Sequence, residues 1–178
     1  PVEGRALMFA GQLRAIYLGD FKKGLALLEE ALEIAPGIGT ELYVLLRIAQ
    51  AQIMQGRYAS AQTTLDRAGD LTQRPVRPLG LVGFRLVSAK LRVARVGEAP
   101  LREALSLTQA QPSFEDEGPA FSRQYQMALF CERTAAHLGL ATCTTVEAAE
   151  RQEHQALALE ASAAALDIYR DVKTVRPI

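Results

Sequence analysis

Leucine and alanine return every three or four residues along most of this chain, and polar or charged residues fill the positions between. That period is the mark of a helix with one buried stripe. Leu25, Leu28, Leu32 and Ile34 form one such stripe, and Leu45, Ile48 and Ala49 form another. Further helices are expected over Leu81–Val96, Leu101–Ala110, Ala120–Leu138 and Val146 to about Arg170. β-Branched and aromatic residues nowhere alternate with polar ones, so no strand is expected. Glycines at 19, 56, 97 and 139 fall where helices should end, with Gly139 read as the stop of the Ala120 helix. Pro100 suits a first helical turn, where a missing N–H costs nothing. Thr144 or Thr145 can cap the last helix, with Glu147 beside its N-terminus.

The pattern repeats. Gly19-Asp20-Phe21-Lys22-Lys23-Gly24 is followed by Leu28 and Ala31; 37 residues later, Gly56-Arg57-Tyr58-Ala59-Ser60-Ala61 is followed by Leu65 and Ala68. Each glycine supplies the left-handed turn between two helices. The aromatic two positions later should fill the corner of the hairpin. Small residues at Gly24, Ala31, Ala61 and Ala68 should let helices approach closely. A single hairpin cannot hide its own stripe, so hairpins must stack.

These residues resemble the tetratricopeptide family: a turn glycine, an aromatic two positions on, three small or apolar positions on the second helix, and a closing Pro36, replaced by Gln73 with Pro75 nearby in the second repeat. The motifs are good over residues 5–75. The glycine spacings of 37, 41 and 42 exceed the family's repeat of about 34. The extra residues fall at Gly37-Ile38-Gly39, Arg74–Pro78 and Gln111–Gly118. The resemblance implies an all-α fold, an α-solenoid of about four antiparallel hairpins in a right-handed superhelix, ending in a long helix. One domain is expected over 1–178, with repeats at about 5–36, 41–73, 79–111 and 119–171. Long-spaced repeats of this kind look like the helical regions of large bacterial transcription activators and like stand-alone bacterial repeat proteins. In such activators the region receives a signal from a ligand or partner.

The resemblance also implies a binding face, because the family lines its concave side with the first helix of each hairpin. Carried onto this sequence, that face holds Phe9, Leu13 and Tyr17; then Tyr43, Leu46, Gln50 and Met54; then Phe84, Val87, Leu91 and Arg95; then Leu129, Arg133 and His137. Gly11 and Gln12 stand where the first hairpin's packing pair belongs, so its register departs from the motif. The face is apolar, and an apolar patch of this size marks an interaction site. The last helix or a second copy of the chain could cover it, a partner segment could lie in it, or a small effector could sit near Arg95, Arg133 and His137. The family's basic clamp for chaperone carboxylates is not expected, since Phe9, Leu13 and Leu46 stand where it needs lysine and asparagine.

Composition narrows the classes. A chain of 178 residues can hide about 70% of its unfolded surface in one core. Twenty basic residues balance twenty acidic ones, which argues against binding a polyanion by bulk charge. The distribution is uneven: eight basic side chains stand against three acidic ones from Asp66 to Arg102, and ten acidic against four arginines from Glu103 to Arg170. Nucleic-acid binding would need Arg74, Arg77, Arg85, Arg92 and Arg95, but only Phe84 interleaves with them. No apolar run is long enough to cross a bilayer and no leader opens the chain, so a cytoplasmic location is expected. The first residue is Pro1, which reads as a piece cut from a longer protein.

The chemistry expected is absence of chemistry: no cofactor, no metal and no catalytic residues. Cys131, Cys143, His137 and His154 follow no metal-ligand spacing. The cysteines are expected as buried free thiols and the histidines as structural. Glu115-Asp116-Glu117 is expected to be a solvated loop. The sequence therefore reads as a non-catalytic module that binds a protein segment or its own copy, with an effector-binding regulator segment or an enzyme's accessory domain as alternatives.

Overall fold

The computed structural model describes residues 2–35, 37–109 and 119–174. Every regular element among them is helical: α1 (Val2–Gln12) and a π-helical turn (Leu13–Tyr17), α2 (Phe21–Glu33), α3 (Ile38–Met54), α4 (Tyr58–Thr72), α5 (Pro78–Arg95), α6 (Glu98–Gln109), α7 (Pro119–Thr142) and α8 (Ala148–Thr174). Pro36 and Glu115–Glu117 lie outside the described residues. The chain divides into two compact units, Pro1–Val87 and Ser88–Ile178.

In the first unit, α1 packs on α2, α2 on α3 and α3 on α4. Gly19 (φ 70°) and Gly56 (φ 72°) take the left-handed conformation expected at the hairpin turns. Asp20 then opens α2 by accepting a hydrogen bond from the Lys23 backbone N–H at 3.4 Å. The core joins Ala15, Leu25, Leu28, Ala31, Val44, Ile48 and Ala51, with Leu7, Met8, Ile16, Phe21 and Leu32 against it. Phe21 thus fills its corner, whereas Tyr58 at the equivalent turn is an exposed residue. Ile34 is also exposed, because it falls just past the end of α2.

The departure from the motif at Gly11 and Gln12 has a structural counterpart. Leu18 N–H donates to the Leu13 carbonyl at 3.0 Å, one residue further than an α-helical bond. The π-helical turn takes up an extra residue, and Gly4, Gly11 and Ala15 all lie buried on one side. Glycine is required there by contact. A Cβ on Gly11 would stand 2.7 Å from Leu28 Cγ and 2.9 Å from the Gly24 carbonyl oxygen.

In the second unit, α6 packs on α7 and α7 on α8, the latter along the most extensive helix interface among the described residues. Ala89, Leu101, Ala104, Leu105, Ala136, Leu140 and Val146 form the core, flanked by Val93, Leu107 and Cys143. The inner face of α8 is built from His154, Ala158, Ala161 and Ala165, all buried at helical spacing. Arg102 on α6 links Glu98 at 3.0 Å to Glu150 of α8 at 2.7 Å. Thr145 does not serve as the expected cap in this network but donates to Glu98 at 2.7 Å.

Several boundaries correct the sequence reading. Gly139 is no stop: α7 runs on to Thr142, and the glycine makes room for Leu101, whose two methyl carbons would stand 2.8 Å from an added Cβ. α5 begins at Pro78 and α8 at Ala148, three residues earlier and two later than the apolar pattern suggests. The cysteines are free but not buried; Cys131 is exposed and Cys143 half-exposed.

Candidate interaction surface

The residues that the first helices offer do not share one environment. On α1 and the π-helical turn, Phe9 is 62% exposed, Leu13 53% and Tyr17 70%. They recur every four residues, opposite the side that carries Gly4, Gly11 and Ala15 to α2. Leu18 beside them is also exposed. α3 packs against α1 and the π-helical turn. It adds exposed Met54, with Tyr43 and Gln50 half-buried. Gln50 accepts a hydrogen bond from Arg47 at 3.2 Å.

Other members of the set face inward. Leu46 is buried, with its Cδ1 3.2 Å from where a Cβ would stand on Gly83 of α5. Phe84 is half-buried and its ring edge lies over Gly69 of α4, 3.4 Å from an added Cβ there. Val87, Leu91 and Leu129 are buried, and Arg95 is exposed. Sequence spacing identifies the first helix of each hairpin but cannot separate contact with a partner from contact with the next helix, since both use leucine and valine.

Arg133 and His137 belong to a polar cluster in the second unit. Arg133 donates from one terminal nitrogen to the Thr108 carbonyl of α6 and lies 5.0 Å over the Phe130 ring. Burial lowers its guanidinium's affinity for a proton, and Glu160 works the other way. The two histidines meet inside the α7–α8 hairpin, Nδ1 to Nδ1 at 3.1 Å, with ring centroids 5.1 Å apart. One nitrogen must carry the proton and the other accept it, which holds only while at least one ring is neutral. His154 Nε2 and Arg133 Nε are buried without a hydrogen-bond partner, although Glu150 lies 3.6 Å from His154 Nε2. No pattern along the chain signals this pairing, because the two rings are brought together by the packing of separate helices. Lys90 and Glu132 form a further pair at 3.5 Å, in which burial raises the Glu132 carboxyl above its ordinary value.

The His137 pKa lies below its ordinary value because burial, His154 and Arg133 all oppose its cation, more than Glu153 favours it. A depressed histidine contributes stability that is complete above the unfolded value of about 6.5 and lost as the pH falls through the lower folded one. The protection of amides in α7 and α8, taken relative to their intrinsic exchange, is therefore expected to fall as the pH is lowered below about 6.5. His137→Gln should flatten that dependence; an unchanged pH profile in this variant would show that the pair is not its source.

Among the described residues, no three His, Cys, Asp or Glu side chains are placed to hold a metal ion. No described helix is long and apolar enough to cross a membrane. No curated protein and no solved structure gives a match to this chain. Residues 15–77, running from the π-helical turn through α4, match the family described as tetratricopeptide repeat. With its glycine turns, its paired helices and its small-residue contacts, this stretch of the chain is a tetratricopeptide-repeat segment.

Proposed function

We propose that this chain is a protein-interaction module that holds a segment of another protein against the outward row of its first helices. Repeats of this family generally mediate protein–protein contact, and they are typically not catalytic. The carrying observation is the row Phe9, Leu13 and Tyr17, three large apolar side chains each more than half exposed on one helix face. Each is partly covered already, so leaving it in water forgoes a part of the about 1.5–3 kcal/mol that full burial of one such side chain gives, which an apolar partner segment would recover. Met54 extends the row onto α3, while Tyr43 and Gln50 offer it polar atoms. An amphipathic helix or extended peptide with leucine or aromatic anchors at matching spacing is the expected ligand.

Because all three residues are exposed, Phe9→Ala, Leu13→Ala and Tyr17→Ala together should leave helicity and melting unchanged. A displayed library of amphipathic peptides panned against the wild type should yield apolar-anchored binders. The triple variant should bind those peptides at least about 100-fold more weakly, some 2.7 kcal/mol. Equal binding by both proteins would move the site elsewhere. A second reading, an effector-sensing segment, draws on the unpartnered Arg133 Nε and His154 Nε2. It predicts thermal stabilisation by a small polar metabolite, abolished by Arg133→Leu, with no effect of the triple substitution.

A further inference from the structure

The helix α8 carries two apolar faces on opposite sides. His154, Ala158, Ala161 and Ala165 are buried against the rest of the second unit. On the other side Ala156, Leu159, Ala163 and Leu166 alternate at spacings of three and four, the pattern of a helix seam that another helix covers. All four are exposed; Leu159 is 73% exposed and Leu166 47%. The two flanks of this seam differ. Glu153, Glu160 and Asp167 recur every seven residues along one edge, all exposed, while Gln155 and Ser162 stand on the other. We propose that this outward face of α8 docks an amphipathic partner helix whose leucine and alanine seam is edged by lysine or arginine.

The acidic edge decides between occupants. A second copy of α8 laid antiparallel would set Glu153, Glu160 and Asp167 against themselves, and like charges across a helix pair are destabilising. A parallel copy would leave them beside uncharged Gln155 and Ser162. A partner with a basic edge gains from all three carboxylates and covers both leucines. Arg170 bonds Asp167 at 3.3 Å and Glu160 is felt by Arg133, but the Arg170 contact is mostly solvent-exposed and readily exchanged. Small residues at Ala156 and Ala163 let a partner backbone come close between the two leucines. This surface belongs to the second unit and does not depend on the Phe9 row.

The test uses three synthetic helix-forming peptides of about three heptads: one with a Leu/Ala seam and lysine edges, the same seam with glutamate edges, and a scramble of the lysine peptide that has no seam. Fluorescence anisotropy with the full chain is expected to show the lysine-edged peptide binding at least about tenfold tighter than either other peptide. Replacing Glu153, Glu160 and Asp167 together by lysine should swap the preference to the glutamate-edged peptide. Leu159→Gln with Leu166→Gln, both at exposed positions, should remove binding without changing helicity. The proposal falls if neither seamed peptide binds, if the scramble binds as well, or if the charge reversal leaves the preference unaltered. It falls equally if sizing shows a dimer that the two glutamine substitutions dissolve, since the occupant would then be a second copy.

Discussion

Gly24→Ala is expected to lower the melting temperature of this protein by about 5 °C, although alanine is the better helix former by about 1 kcal/mol and the second repeat already carries Ala61 at the matching position. The reason is backbone against backbone. A methyl group on Gly24 would run into the N, Cα and Cβ of Ala15, all closer than 3 Å, and none of these can rotate away. Overpacking of this kind costs about 1–3 kcal/mol and sometimes more; with no rotamer to absorb the clash, a net loss of about 2 kcal/mol is expected after the propensity gain. For a chain of this length each kcal/mol moves the midpoint by about 2–4 °C. Gly39→Ala is the control, because nothing stands within 4 Å of a Cβ there and its φ is not positive. That variant should be neutral or stabilised. If Gly24→Ala melts no lower than Gly39→Ala, the close approach of α2 to the π-helical turn is not as described.

The second expectation concerns Leu101 and Gly139, one on α6 and one on α7. Leu101 is 2% exposed and lies over the glycine. Leu101→Ala should cost about 3 kcal/mol, from lost burial and the cavity left behind. Gly139→Ala should cost about 1 kcal/mol, since its methyl meets the leucine's methyl groups and forces them to shift. Together the two changes should cost less than their sum by about 1 kcal/mol, because the alanine methyl enters the space the leucine vacates. Denaturant unfolding of the four proteins measures this coupling. Strict additivity would mean that the two residues do not touch.

Both glycines bear on how far the sequence could be read. Helix number, order and the hairpin turns at Gly19 and Gly56 followed from the apolar period and from glycine's tolerance of positive φ. The resemblance placed the small-residue contacts at Gly24, Ala31, Ala61 and Ala68, and all four are buried. Gly139 deceived because a glycine near the end of an apolar stripe looks the same whether it ends a helix or admits a neighbouring leucine. Only the position of α6 separates the two. Leu46 and Leu91 looked like partner-facing residues for a similar reason, since an inner face and a helix–helix contact want the same side chains. The His137–His154 contact was out of reach, because nothing in a 17-residue separation says that two rings on separate helices will meet.

The π-helical turn has a further consequence. Phe9 stands before it, and Leu13 and Tyr17 lie within it. Removing one residue from Leu13–Tyr17 would let that stretch wind as an ordinary α-helix, and because the wide turn had absorbed the residue, the helix ahead of it would keep its facing. Gly4 and Gly11 would stay seated against the following helix, and Phe9 would stay on the outward side. Deleting Ala10 from the α-helical part instead would swing Gly4 and Phe9 by about 100° around the axis. The turn thus holds a residue of slack that the winding before it lacks.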